Sequence, residues 1–121
     1  MDKVENKNAN QINFDYNGKH YCLEYTRESV KQMEAAGFNM NDMGDKPATR
    51  IEQLWQGAFL ANHSSVKRDK IDKIYRMMGD KTKLIGALTE MYNEPIEALL
   101  AEPEDGKNLK WIPSWESEDE E

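Results

Sequence analysis

The stretch that most limits what this chain can fold into is residues 47–63, PATRIEQLWQGAFLANH. At helical spacing Ile51, Leu54, Trp55, Ala58 and Phe59 share one face, with Ala61 beside them, an i, i+3, i+4, i+7, i+8 pattern. A stripe that wide must be covered, so the remaining elements have to pack around this helix. Thr49 and Glu52 predict a capping box, because each side chain can satisfy a backbone donor orphaned at the helix start. Pro47 just upstream suits a chain entering a helix.

Upstream, Ile12, Phe14 and Tyr16 alternate with polar residues, as do Tyr21, Leu23 and Tyr25 after Asn17-Gly18. That is the period of two half-buried strands joined by the dipeptide best suited to a type I′ turn, where both positions need positive φ. A lone hairpin is marginally stable, so one of its faces should lie on helices. Thr26 can cap a helix over residues 27–36, with Glu28 favoured at the positive end of its dipole. Val30 and Met33, extended by Ala36, form its narrow apolar stripe. Gly37 stands where a left-handed cap ends a helix, and Phe38 can fold back over it. Residues 39–46 read as a loop in which Met40 and Met43 either pack or form an adaptable contact surface.

A third helix is expected after residues 62–65, capped by Ser64 or Ser65, with Val66, Ile71, Ile74, Tyr75 and Met78 inward and Gly79 ending it. Lys67, Arg68, Lys70, Lys73 and Arg76 load its other faces; that basic side could touch phosphates, but Asp69 and Asp72 interleave with it and favour a solvated surface. The last helix starts near Lys81, capped by Asp80 or Thr82. Leu84, Ile85, Leu88, Met91, Tyr92, Ile96, Leu99 and Leu100 keep one phase, and Pro95 inside the run predicts a kink or break near Asn93-Glu94.

At 121 residues and 14.1 kDa the chain makes one domain large enough to bury a core without disulfides or a structural metal. Its division is a flexible start over residues 1–10, a hairpin-plus-helices domain over 11–101, and an acidic tail over 102–121. Eight acids and two lysines give that tail a net charge of −6 out of −7, so the body is nearly neutral. Such acidity disfavours nonspecific binding to nucleic acid or to an anionic membrane. Cys22 is the only cysteine, so no intramolecular disulfide can form. The opening MDKVENKNANQ has no signal-peptide core, and no stretch approaches a membrane span, which leads us to expect a soluble intracellular protein.

His20 and Cys22, with His63 at a distance, are the candidates for a metal site or a nucleophilic pair. No CxxC or HxxxH spacing accompanies them, and nothing orients the pair, so the expected reading is a polar strand face. Gly-rich phosphate loops and Ser/His/Asp arrangements are absent, so we expect no enzyme, no cofactor and no metal. The segment LKWIPSW is different. It places Trp111, Ile112 and Trp115 in an otherwise polar tail, where they either pack back onto the domain or bind a partner protein. With Trp55 and Phe59 they are the candidate protein-binding residues, unless Trp55 and Phe59 belong purely to the core.

Four patterns carry a family likeness: Y-x-G-K-x-Y-x-L in the hairpin, R-x-S-V-x-x-M-E-x-x-G-F after it, W-x-G-A-F-x-x-x-H in the central helix, and L-x-E-M-Y near the end. Together they lie between positions 12 and 92. In these the chain resembles the small tail assembly chaperones of long-tailed phages and prophages of Gram-positive bacteria. The resemblance implies an α+β domain that binds the tape-measure protein, with the major tail protein as a further partner. It would keep that long helical chain soluble in the host cytoplasm while the tail tube assembles, and be absent from the mature virion. The alternative is a small acidic phage inhibitor that mimics nucleic acid and blocks a host nuclease or transcription factor. That would need acids on a rigid surface, whereas here they gather on the tail.

Overall fold

The computed structural model describes residues 10–103 and 107–117. The start expected to be flexible lies outside the described residues except for Asn10, as does most of the acidic SEDEE end. Among the described residues the order is β1 (Ile12–Tyr16), β2 (Lys19–Leu23), α1 (Arg27–Ala35), a single 3-10 turn (Met40–Asp42), α2 (Pro47–Gly57), α3 (Arg68–Met77), α4 (Lys81–Leu99) and α5 (Ser114–Ser117). The architecture is α+β: a two-stranded antiparallel hairpin followed by a small bundle of four helices and a tail.

The hairpin follows from its turn. Asn17 and Gly18 both hold positive φ, at 50° and 79°, the pair a type I′ turn requires. Register then sets Phe14 opposite Tyr21 and Ile12 opposite Leu23 on the inward face. The outward face pairs Asp15 with His20, and the His20 ring nitrogens lie 2.8 Å from Asp15 Oδ1 and 3.1 Å from Asn13 Oδ1.

Both ends of α1 are built locally. Thr26 Oγ1 accepts from Ser29 N while Ser29 Oγ accepts from Thr26 N, at 3.0 and 2.9 Å, a reciprocal cap. At the other end Gly37 adopts φ 101°, and Phe38 N donates to Met33 O at 2.9 Å while Gly37 N donates to Glu34 O at 3.0 Å. This pair of bonds satisfies carbonyls the helix end would leave open and tucks Phe38 into the core. The loop that follows packs rather than presenting its methionines outward: Met40 and Met43 are half-buried against the core. Arg50 of α2 clips it down, donating through Nη2 to Asp42 Oδ2 and through Nη1 to Gln53 Oε1, both at 2.8 Å.

The central helix departs from expectation at both ends. Pro47 is its first residue rather than a lead-in, and Lys46 precedes it without a side-chain cap. Thr49 therefore lies inside the first turn, and the Thr49–Glu52 box does not form at the helix start. Proline has no N–H to satisfy and its fixed φ begins the helix unaided. The α-helix stops at Gly57 instead of reaching residue 63, and the chain tightens into turns in which Phe59 N donates to Gln56 O and Leu60 N to Gly57 O, each at 3.1 Å. Ala58 and Phe59 nevertheless stay on the inward side.

Neither Ser64 nor Ser65 caps α3, which begins at Arg68 after Lys67. Val66 is half-buried against the core, so packing rather than a serine hydroxyl positions the entry. Asp80 precedes α4 at φ 49° and makes no side-chain cap. Lys81 Nζ instead donates to Met78 O at 2.7 Å, satisfying the end of α3. α4 runs unbroken through Pro95, so no break occurs near Asn93-Glu94. The helix is held on both sides of the missing donor, by buried Met91 and Tyr92, by half-buried Ile96, and by Glu94 Oε1, which accepts from Asn10 N at 3.0 Å. Its apolar phase does not stay covered: Leu99 and Leu100 are exposed.

The core lies where α2 meets α1, α3, α4 and the hairpin. Aromatic edges knit it, with ring centroids 5.2 Å apart for Trp55 and Phe59, 6.1 Å for Phe59 and Tyr21, and 5.5 Å for Tyr25 and Tyr92.

Candidate protein-binding surface

The three tryptophans fall into two environments. Trp55 is 2% exposed and its Nε1 donates to Ile71 O at 2.9 Å, tying α2 to α3. Phe59 is equally buried, between Trp55 and Tyr21. Trp55 and Phe59 are therefore core residues, the second of the two roles the sequence left open to them. Their place in the apolar stripe was already the signal.

Trp111 and Trp115 are 81% and 76% exposed, and Leu109 and Ile112 lie in water beside them. The tail segment thus does not pack back onto the domain. Pro113 precedes a single helical turn, α5, in which Glu116 N donates to Pro113 O at 3.0 Å. The patch continues in character at the end of α4, where Leu99 and Leu100 are uncovered. Indoles in water are costly, and burying them against a partner is the usual source of binding hot spots.

His63 and Cys22 do meet, but through the backbone. Cys22 N donates to His63 Nε2 at 3.0 Å, so that nitrogen carries no proton, and the ring sits 4.9 Å from the Tyr21 ring. Burial lowers the His63 pKa, and the charge of Lys19 lowers it further. Burial, and next the charge of Glu24, raise that of the Cys22 thiol. A raised thiol is the reverse of an activated nucleophile. The arrangement pins β2 to the exit of α2. Because folding favours the neutral ring, its contribution to stability is complete above the ordinary imidazole value near 6.5 and is lost as pH falls through the lowered value. We therefore expect the unfolding midpoint to drop between about pH 7 and pH 5. His63→Gln, which keeps an acceptor but cannot titrate, should flatten that part of the curve in urea melts. An unchanged slope would remove His63 as the cause.

Among the described residues no group of three or more His, Cys, Asp or Glu side chains is placed to hold a metal ion, and no helix is long and apolar enough to cross a membrane. Several hollows open on the surface of the described residues. One of about 230 Å³ lies between α2 and α3, floored by Ile51, Trp55 and Tyr75 and rimmed by Glu52, Asp72 and Arg76. Another of about 420 Å³ lies between α1 and α2, where Met33, Phe38 and Leu60 sit among Gln32, Gln53 and Gln56. A third, about 530 Å³, joins Lys19 of the hairpin to Lys67, Lys70 and Lys73, with Asp69 among them. The basic side of α3 is thus concave, which the sequence did not disclose because Lys19 comes from another element.

No curated protein and no solved structure matches the chain. A family model described as a domain of unknown function (DUF5055) matches residues 7–115. The match takes in the hairpin, α1 to α4 and the tail as far as Trp115. On a match of that extent, the chain belongs to the DUF5055 family.

Proposed function

We propose that this protein is a phage tail assembly chaperone that binds the tape-measure protein and keeps it soluble while tail-tube subunits assemble. The reading rests on the likeness of the four sequence patterns and on one structural observation. Leu109, Trp111, Ile112 and Trp115 stand in water on a segment that covers none of its own core. A long amphipathic helical client offers the apolar face such a segment needs. The acids around it, which carry a net −6 over residues 102–121, keep the loaded complex soluble. Trp111, Ile112 and Trp115 make the contact. The major tail protein is a second partner, and the protein acts in the cytoplasm of the bacterial host and is absent from the mature virion.

The test is co-expression of the full chain with the tape-measure protein, followed by capture through a tag on the chaperone. Wild type should hold the tape-measure protein in the soluble fraction. Trp111→Ala combined with Trp115→Ala should weaken capture at least about tenfold, since a tryptophan hot spot contributes roughly 2 kcal/mol or more. A tape-measure protein that stays insoluble beside wild type would sink the proposal. Recovery of a host nuclease or transcription factor in its place would favour the acidic mimic.

A further inference from the structure

We propose that the tryptophan segment of one copy docks in the α2–α3 hollow of a second copy of this chain, so that the protein self-associates through its tail when no other partner is bound. Two surfaces without cover match each other in chemistry. The hollow is lined by Ile51, Trp55 and Tyr75, with Glu52, Asp72 and Arg76 around them, which leaves its edge one net negative charge. The segment carries the complementary balance, with Lys107 and Lys110 beside Leu109, Trp111 and Ile112 and Glu116 next to Trp115, one net positive charge over residues 107–117. Size agrees as well: a cavity of about 150 Å³ accepts a benzene ring, and this one offers about 230 Å³. An indole entering it meets the Tyr75 ring at the floor, and the lysines that precede it reach the acidic rim.

The occupant comes from another molecule because the segment does not lie on its own domain, where Trp111 and Trp115 are exposed. One chain therefore presents both a filled core with an open hollow and a segment whose indoles stand in water. Two chains can satisfy each other reciprocally, which is the closed arrangement of an isologous pair. A client helix would compete for the same indoles, so client binding and self-association exclude each other.

Sedimentation velocity on the full chain alone, across a concentration series, is the test. It contains no tape-measure protein, so its failure leaves the chaperone proposal standing and the reverse also holds. Wild type should shift from monomer to dimer as concentration rises. Trp111→Ala with Trp115→Ala should weaken the association at least about tenfold, as should Glu52→Lys with Asp72→Lys, which reverses the rim. Adding Lys107→Glu and Lys110→Glu to the rim-reversed chain should restore association. Circular dichroism of each variant separates lost docking from lost folding, and the restored quadruple variant excludes unfolding by itself. Monomer at every concentration overturns the proposal. So does a dimer indifferent to both pairs of substitutions. A monomer whose tail indoles are nonetheless shielded from a quencher would place the segment on its own hollow and overturn the assignment to a second copy.

Discussion

Trp55→Ala should cost about 3–5 kcal/mol of folding stability, the range for deleting a large aromatic side chain from a packed core. Three things go at once. The ring's contacts with Phe59 and Tyr75 disappear, at centroid distances of 5.2 and 5.4 Å. The floor of the α2–α3 hollow opens. The bond from Nε1 to Ile71 O, which tethers α3, is lost. Trp55→Phe keeps much of the ring and loses that bond, so its cost should be smaller, about 1–3 kcal/mol. Trp111→Ala and Trp115→Ala touch no core and should each change stability by no more than about 0.5 kcal/mol. Urea denaturation followed by circular dichroism reads all four. Comparable losses from the tail substitutions would place the tail inside the fold and contradict the division of the tryptophans.

Gly57→Leu should destabilise the domain by about 1–3 kcal/mol even though leucine is a far better helix former than glycine. A Cβ at position 57 would overlap Met33 Sδ and lie 2.9 Å from Met33 Cγ, well inside contact distance. Met33 is itself buried, and to make room its side chain must leave the core for the α1–α2 hollow that it borders. The glycine is what lets α1 and α2 cross closely. Met33→Ala alone should cost about 2–5 kcal/mol through the cavity it leaves. In the double variant the leucine refills that space, so the combined loss should be less than the sum by about 1 kcal/mol or more. Additive losses would mean that Met33 is not what excludes a side chain from position 57.

The parts of the fold that were legible in the sequence are those that local chemistry decides. Asn17-Gly18 needs two positive φ values, and few other dipeptides supply them, so the hairpin and its register followed from two residues. Thr26 at one end of α1 and Gly37-Phe38 at the other likewise announce a cap and a reversal. The apolar stripe around Trp55 marked the centre of the core. Where the reading failed, packing overrode a local preference. Thr49, Ser64 and Ser65 are good capping residues, but Pro47 starts α2 without one and Val66 anchors the approach to α3. Pro95 breaks a helix that stands alone, whereas α4 is gripped on both sides of it. Leu99 and Leu100 keep the helical phase but extend past the elements that would cover them.

The candidate site was legible only in part. An apolar tail segment looks the same in sequence whether it folds back or stands in water, so Trp111 and Trp115 could be named but not placed. The hollows were not legible at all. They depend on how α2 meets α1 and α3, and on Lys19 arriving from the hairpin beside the lysines of α3, and no spacing in the chain encodes either.

The central claim is that one tryptophan holds the fold while two serve a partner, and fluorine NMR of the full chain labelled with 5-fluorotryptophan tests it most directly. Each indole gives its own resonance, assigned by single Trp→Phe substitutions, and the spectrum is recorded at a concentration where the protein is monomeric. Before addition of the tape-measure protein, the Trp111 and Trp115 signals should respond to solvent and that of Trp55 should not. On addition, the two tail signals should shift or broaden together while Trp55 stays in place. Tail signals that remain solvent-sensitive beside a bound tape-measure protein, or a Trp55 signal that moves alone, would contradict the account.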